Sequence, residues 1–403
     1  MRVVTGIRQL LTMVARDGDP LGIIEDAAIA IDDAGRVAWT GRAADAPSSA
    51  ARLELGGVVV LPGLVDPHTH LVFAGDRAAD FEARCRGESY VAIAQRGGGI
   101  RTTVRATRAA SEDELVRLAS PRLAALAAHG VTTVEIKSGY GLDVETELRQ
   151  LRAIARLSAL GPQRLAATLL LHVVPDSHAA DRAGWLTTIE RELLPAAVGL
   201  ADAVDVFCDV GAYTRDEAWR ALVAARALGF RVKAHVEQLT ATGFGVDAAA
   251  MGALSLEHLE HAGDEVVAAM ARAGTVAVLL PTASLFLGDA ARPPVAALRA
   301  AGVRLALATD LNPGSSPTFD PWLVATLACT WYGLTPAESL LGVTAHAAAA
   351  LGRGDVGRLA PGAWADLAVA RPDLPDWRHL VYGLGHRPIA RTVIGGIELP
   401  ARA

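Results

Sequence analysis

Two histidines one residue apart, His68 and His70, stand in the segment Asp66-Pro-His-Thr-His70, directly after the apolar run Gly57-Val-Val-Val-Leu-Pro-Gly-Leu-Val65. Side chains alternate faces along a strand, so the two imidazoles point the same way and Thr69 points opposite. Paired imidazoles at the carboxyl end of a buried strand are half of a metal site. The other half is available further on. Arg231-Val-Lys-Ala-His235 ends in a third imidazole, Leu256-Glu-His258 in a fourth, and Leu305-Ala-Leu-Ala-Thr-Asp310 in a carboxylate. If these strands share one end of a barrel, His68, His70, His235 and Asp310 converge and leave one position for water, as catalytic sites do. A cation there lowers the pKa of water toward ~7 and polarises a carbonyl.

Other polar residues near these strand ends have more than one reading each. Glu237, two residues past His235, is either a proton shuttle between water and a leaving nitrogen or a loop carboxylate in a surface ion pair. His258 either stabilises an oxyanion, assists as a base, or merely orients a neighbour. Arg77, seven residues beyond His70, has the shape to hold a substrate carboxylate, although an ordinary arginine is simply solvated. Tyr140, in Lys137-Ser-Gly-Tyr140, either donates to the same anion or packs. Gly97-Gly-Gly99 lacks the Gly-Lys-Ser/Thr of a phosphate loop and reads instead as a lid with backbone freedom.

The elements that must position these groups are legible as a rhythm. Strands are predicted at Val58–Val65, Val131–Ile136, Leu165–His172, Ala203–Cys208, Arg231–His235, Ser255–Glu257, Thr275–Leu280 and Arg304–Ala308. Helical stretches lie between them, among them Ser111–Ala128 with a capping-box start, Val144–Leu160, Arg215–Leu228 and Asp264–Ala273. Gly130, Gly229, Gly274 and Gly302 each sit just before a strand, where helices end on a left-handed residue. The fold class is therefore α/β, a (β/α)₈ barrel of roughly 290 residues. Residues 1–60 and 350–403 are strand-rich and turn-rich, and the two ends are expected to meet as one small β-sandwich domain beside a barrel of residues 61–349.

Bulk composition narrows the function. The chain has 403 residues, about half of them apolar and a fifth charged, with a net charge of −6. Lys and Arg form no basic stripe, which argues against a nucleic-acid partner. No apolar run reaches ~18 residues, so no membrane span is expected. Three widely spaced cysteines, Cys85, Cys208 and Cys329, form no disulfide framework or zinc knuckle, and a reducing cytoplasm is the expected home. A barrel enzyme of this size is expected to be a symmetric homodimer.

On these residues the chain resembles the amidohydrolase superfamily: the His68/His70 pair, His235, His258 and Asp310 are its general features. Narrower motifs point to the branch that opens an anionic imidazolone ring. They are Asp66-Pro-His-Thr-His-Leu-Val-Phe-Ala-Gly-Asp-Arg77, Glu88-Ser-Tyr90, Gly97-Gly-Gly-Ile100, Lys137-Ser-Gly-Tyr-Gly-Leu142, His172-Val-Val-Pro175, His235-Val-Glu-Gln-Leu239 and Ala308-Thr-Asp-Leu-Asn-Pro-Gly-Ser315. The resemblance implies one divalent or trivalent metal ion per subunit, zinc or iron, held by His68, His70, His235 and Asp310. It implies that Glu237 and His258 activate the water, with Asp310 counted among the catalytic groups. It also implies that Arg77, Tyr140, His172, Gln238, Asn312, Gly314 and Ser315 contact a small anionic substrate or its product. The strand Val204-Asp-Val-Phe-Cys-Asp209 has no lysine to bridge two metals, which favours a mononuclear site. One departure is Leu170-Leu-His172-Val, where Gly-Ala-His-Ala is expected; bulkier neighbours threaten the placement of His172.

Overall fold

Gly63 is the point at which the chain leaves one sheet and enters another. A computed structural model describes residues 1–49, 51–88 and 97–399. In it Ala51–Pro62 is strand β4 of a terminal sheet and Leu64–Asp66 is β5, the first barrel strand. The run Val58–Val65 is thus two strands and not the single barrel strand predicted. Glycine makes the break possible, because a Cβ on Gly63 would overlap the Thr132 side chain.

The barrel continues through β6 (Val131–Lys137), β7 (Arg164–Leu171), β8 (Ala203–Cys208), β9 (Arg231–Val236), β10 (Ser255–His258), β11 (Val276–Leu279) and β12 (Leu305–Leu307). Each pairs in parallel with the next, giving an eight-stranded sheet in chain order. The four helix-ending glycines all take positive φ, from 72° to 93°. At Ser111 only half of a capping box forms: its hydroxyl accepts from the Glu114 amide, while the Glu114 carboxylate turns to Arg117.

The seam between β5 and β12 is closed above the strands themselves. His70 N donates to Leu311 O at 2.9 Å and Asp310 N to His68 O at 3.1 Å, so the closing bonds belong to the metal-ligand candidates' own backbone. Below, the helix Ala345–Ala350 packs its alanines on Val65, Val276 and Ala306. Small side chains suit a helix pressed this close to a sheet.

The terminal segments give β1 (Arg2–Leu11), β2 (Ile23–Ile31), β3 (Val37–Arg42), β13 (Leu367–Ala370), β14 (Ile389–Ile394) and β15 (Ile397–Glu398). With β4 they form a single mixed seven-stranded sheet in the order β15-β14-β13-β4-β1-β2-β3. Hydrogen bonds link all seven strands, so the two chain ends meet in one small β domain as expected. Register shifts between Val4 and Gln9 bend β1. The two ends of the strand order then meet at Gly35 and Gly395, which touch so closely that a Cβ on Gly35 would overlap Gly395 O. One sheet wrapped this way encloses its own core of Val4, Ile7, Leu10, Ile29, Val60, Leu367 and Val369, as a sandwich would.

Candidate metal centre and active site

At the carboxyl end of the barrel, strand ends deliver the polar residues. His68 and His70 follow β5, and their Nε2 atoms lie 3.2 Å apart. Asp310, three residues beyond β12, places Oδ1 3.3 Å from His68 Nε2 and 3.4 Å from His70 Nε2. His235, on β9, brings its ring centroid to 4.5 Å from that of His68, and its Nε2 is buried with no hydrogen-bond partner among the described residues. The donor set fits a cation: ligand atoms of His68, His70 and Asp310 lie within 4.8 Å of one another, as do those of His68, His235 and His258, and the buried Nε2 of His235 is unsatisfied. His258, at the end of β10, completes the ring of imidazoles, 5.5 Å from His235 and 6.0 Å from His68 between centroids.

The backbone has been forced to aim these groups. Glu237, His258 and Asp310 have positive φ of 56°, 77° and 51°, a region costly for residues with a Cβ. Each lies at or just beyond the end of its barrel strand, where the chain must turn sharply at the cavity.

Electrostatics favour the neutral, ligating form at His70 and His235 and the protonated form at His68. Burial pushes His235 down to about 3, against the opposing pull of Asp205. Burial also lowers His70 and drives His172 well below its ordinary value. Burial would lower His68 too, but the Glu257 carboxylate on its Nδ1 outweighs this and lifts it to about 9. Burial would raise the Asp310 carboxyl, yet hydrogen bonds from His68 and His70 hold it well below the usual carboxylate range.

Above the cluster lies a cavity of about 1010 Å³, walled by His70, Arg77, Tyr140, His172, His235, Gln238, His258, Asp310, Asn312, Gly314 and Ser315. Gly98 and Gly99 also line it, leading into the helix Ile100–Ala109, while Ser89 and Tyr90 of the Glu88-Ser-Tyr90 motif lie outside the described residues. Arg77 Nε donates to Thr103 Oγ1 at 2.9 Å, and the guanidinium rests against Gly314, where a Cβ would come within 2.8 Å of Nη1. Asn312 is spent on its own loop: Oδ1 accepts from the amides of Gly314 and Ser315, and Nδ2 donates to Asp310 O at 2.7 Å. Leu170 packs onto Gly139, and His172 Nδ1 still lies 3.1 Å from Gly139 O, so the bulkier neighbours are accommodated.

Glu237 departs from the expected picture. It is fully buried, and its carboxylate accepts from Thr242 Oγ1 at 3.2 Å and from the Gly243 and Gly245 amides at 3.4 and 3.2 Å. The left-handed turn at Glu237 sends its side chain toward the helix Phe244–Ala250 and presents the next residue, Gln238, to the cavity.

Sequence reading passed over a layer of buried charges beneath the ligands: Glu135, Lys137, Asp205, Lys233 and Glu257. Their signal was present. Glu135 and Lys137, like Lys233 and His235, stand two apart within their strands, so each pair shares one face. Asp66, also passed over, accepts from both the amide and the hydroxyl of Thr309.

Comparison with known proteins places this geometry. The amidohydrolase family model matches residues 59–398. The imidazolonepropionase of Paracoccus denitrificans is 48% identical over 398 residues, covering 96% of this chain and 98% of the relative. That of Ralstonia nicotianae is 50% identical over 400 residues, covering 97% of each. Among solved structures, a zinc-complexed atrazine chlorohydrolase from Arthrobacter aurescens superposes with a TM-score of 0.69 at 18% identity, covering 99% of this chain and 95% of that one. An adenosine deaminase from Xanthomonas campestris with bound zinc gives 0.70 at 18% identity, covering 98% and 92%. The distant pair share the fold, and the close pair share nearly the whole length at half identity: the chain belongs to the imidazolonepropionases of the amidohydrolase family.

Proposed function

We propose that this chain hydrolyses the cyclic amide of 4-imidazolone-5-propanoate to N-formimidoyl-L-glutamate, a step of histidine degradation. The observation that carries the reading is the convergence of His68 Nε2, His70 Nε2 and Asp310 Oδ1 within 3.2–3.4 Å at the floor of a cavity walled by Arg77. His68, His70, His235 and Asp310 would hold one zinc or iron ion, which would supply acidity to a water and polarisation to the ring carbonyl.

The residues do the rest. Arg77, braced by Thr103, binds the propionate arm, and Tyr140, His172, Gln238, Gly314 and Ser315 enclose the ring and arm. Asn312 keeps the Gly314–Ser315 loop in place through its own hydrogen bonds. Water adds its oxygen to the ring carbonyl carbon, the adjacent C–N bond breaks, and the freed nitrogen takes a proton. His258, on the cavity wall, moves that proton. Asp310 keeps its negative charge at the cavity floor, where it would complete the ligand set. Glu237, bonded to the Thr242–Gly245 turn, acts by holding Gln238 in the wall. The pool of water in the cavity falls as the ring enters, which strengthens each of these contacts.

The test follows imidazolone absorbance with parent protein, chelated protein and chelated protein given back zinc or iron. Loss on chelation and return with metal are expected; full turnover in the chelated, metal-free protein would end the reading.

We further propose a homodimer in the cytoplasm. The three cysteines are unpaired, and no helix among the described residues is long and apolar enough to cross a membrane. Trp219 and Val223, one turn apart on the helix Arg215–Ala227, are exposed and suit a subunit contact. Sedimentation equilibrium tests it; a monomer at micromolar concentration is the adverse result.

A further inference from the structure

Two lysines lie where barrels of this kind keep branched apolar side chains. Lys137, at the end of β6, and Lys233, on β9, are both fully buried in the barrel interior beneath the ligand cluster. Lys137 Nζ lies 2.7 Å from Asp205 Oδ2, 2.9 Å from Glu135 Oε2 and 3.1 Å from Glu257 Oε2. Lys233 Nζ lies 2.7 Å from both Glu135 oxygens and 2.8 Å from Glu257 Oε1, and donates to Pro67 O at 3.1 Å. The carboxylates reach upward in turn. Asp205 Oδ2 is 3.0 Å from His235 Nδ1, and Glu257 Oε2 contacts His68 Nδ1.

We propose that Lys137 and Lys233 are positioning residues for metal capture: they lock the two carboxylates that grip His68 and His235, so both ligands are set as one unit. The inference rests on the metal site proposed above and deepens it.

The argument has three parts. A carboxylate on Nδ1 fixes the tautomer of a ligating imidazole and turns its Nε2 lone pair toward the metal. Asp205 and Glu257 do this for two of the three histidines, and among the described residues His235 Nε2 is left unpartnered as that requires. Next, Lys137 touches both of those carboxylates, so neither can swing without the other. Lys233 adds a bond to the carbonyl of Pro67, the residue before His68, and so holds backbone as well as side chain. Finally, stability alone gives no reason for the cluster, since buried ion pairs are often matched or bettered by apolar residues of the same volume. A cluster serving packing only would have no need to meet two ligand imidazoles and the backbone between the strands.

Zinc affinity reads the proposal directly. Metal-free parent, Lys137→Met and Lys233→Met are titrated with zinc against a chromophoric chelator, with far-ultraviolet circular dichroism to establish folding. Each folded variant is expected to bind zinc 10–100-fold more weakly. With cobalt in place of zinc, the visible absorption bands are expected to move as the imidazoles reorient. A folded Lys137→Met chain that binds zinc as tightly as the parent, or more tightly, overturns the proposal. If the parent binds no zinc, the metal-site reading fails first, so the two failures are distinguishable. Asp205→Asn and Glu257→Gln keep side-chain volume and serve where a lysine variant does not fold. Each is expected to weaken zinc binding 10–100-fold, and the double variant by less than the product of the two, because both act through one unit. A full product overturns the coupling.

Discussion

Thr309 donates its hydroxyl to Asp66 Oδ2 at 2.6 Å and its amide to Asp66 Oδ1 at 3.2 Å, tying the end of the eighth barrel strand to the end of the first. Both partners flank metal-ligand candidates: Asp66 stands two residues before His68, and Thr309 immediately before Asp310. Replacing Asp66 by Ala strands a buried amide donor and is expected to cost about 1–3 kcal/mol of stability. The seam would loosen where His68 and Asp310 meet, so bound metal should fall with it. Urea denaturation and metal analysis of Asp66→Ala check both; a variant with full stability and full metal content contradicts the role.

Arg77 separates an anion-binding cavity from one for a neutral ring. A charge-assisted contact contributes about 1.5–3 kcal/mol, so Arg77→Met is expected to raise KM for the acidic substrate roughly 10–100-fold. A neutral cyclic amide, where it turns over at all, should be unaffected. Equal losses on both substrates reject the clamp.

Glu237 and His258 make opposite predictions. The Glu237 carboxylate bonds to the turn before Phe244–Ala250, so Glu237→Gln should lower the melting temperature and change kcat less than about 10-fold. His258→Gln should lower kcat by ~10²–10⁴-fold with the fold intact. Steady-state kinetics on the pair decide; a large kcat loss in Glu237→Gln alone would restore that carboxylate to proton transfer.

Acid should weaken the barrel floor through His346. Burial holds this histidine below its ordinary value, and its Nδ1 lies 3.0 Å from Leu305 O. An unfolded histidine takes up its proton near ~6.5, whereas folded His346 takes it only at lower pH. The unfolded state therefore binds more protons in that window, and stability is lost as pH falls through ~6.5. Urea midpoints at pH 7.5 and 5.5 should drop less for His346→Gln than for the parent.

Thiol chemistry gives a simple count. Cys85 is exposed, Cys208 is buried with its thiol pushed up to about 12, and burial raises Cys329 as well. A disulfide reagent at pH 8 should find one fast thiol in the native protein, and Cys85→Ser should remove it.

The barrel was readable because its rhythm is local. Val131–Ile136 needed one more residue, Ser255–Glu257 one more, and Ala203–Cys208 none. The same alternation marked His68, His70, His235 and Asp310, since strand ends announce themselves by where apolar runs stop. Val58–Val65 misled because one unbroken apolar run serves two sheets, and only a neighbour far away in sequence, Thr132, demands the glycine that divides it. The placement of Glu237 was hidden for a similar reason. Whether position 237 or 238 meets the cavity depends on one left-handed φ, which no residue type at that position forces. The lysine–carboxylate layer was invisible as a unit because its members come from four different strands and acquire meaning only in one another's company.

The terminal sheet imposes a timetable on synthesis. Val60 lies beside Val369, so a strand made early waits for a neighbour made about three hundred residues later. At ~5–20 residues per second that interval is roughly 15–60 s, during which a nascent chain carries an uncovered apolar β edge. A fragment that ends within the barrel would keep this edge unpaired, and aggregation through its amino-terminal strands is the expected outcome.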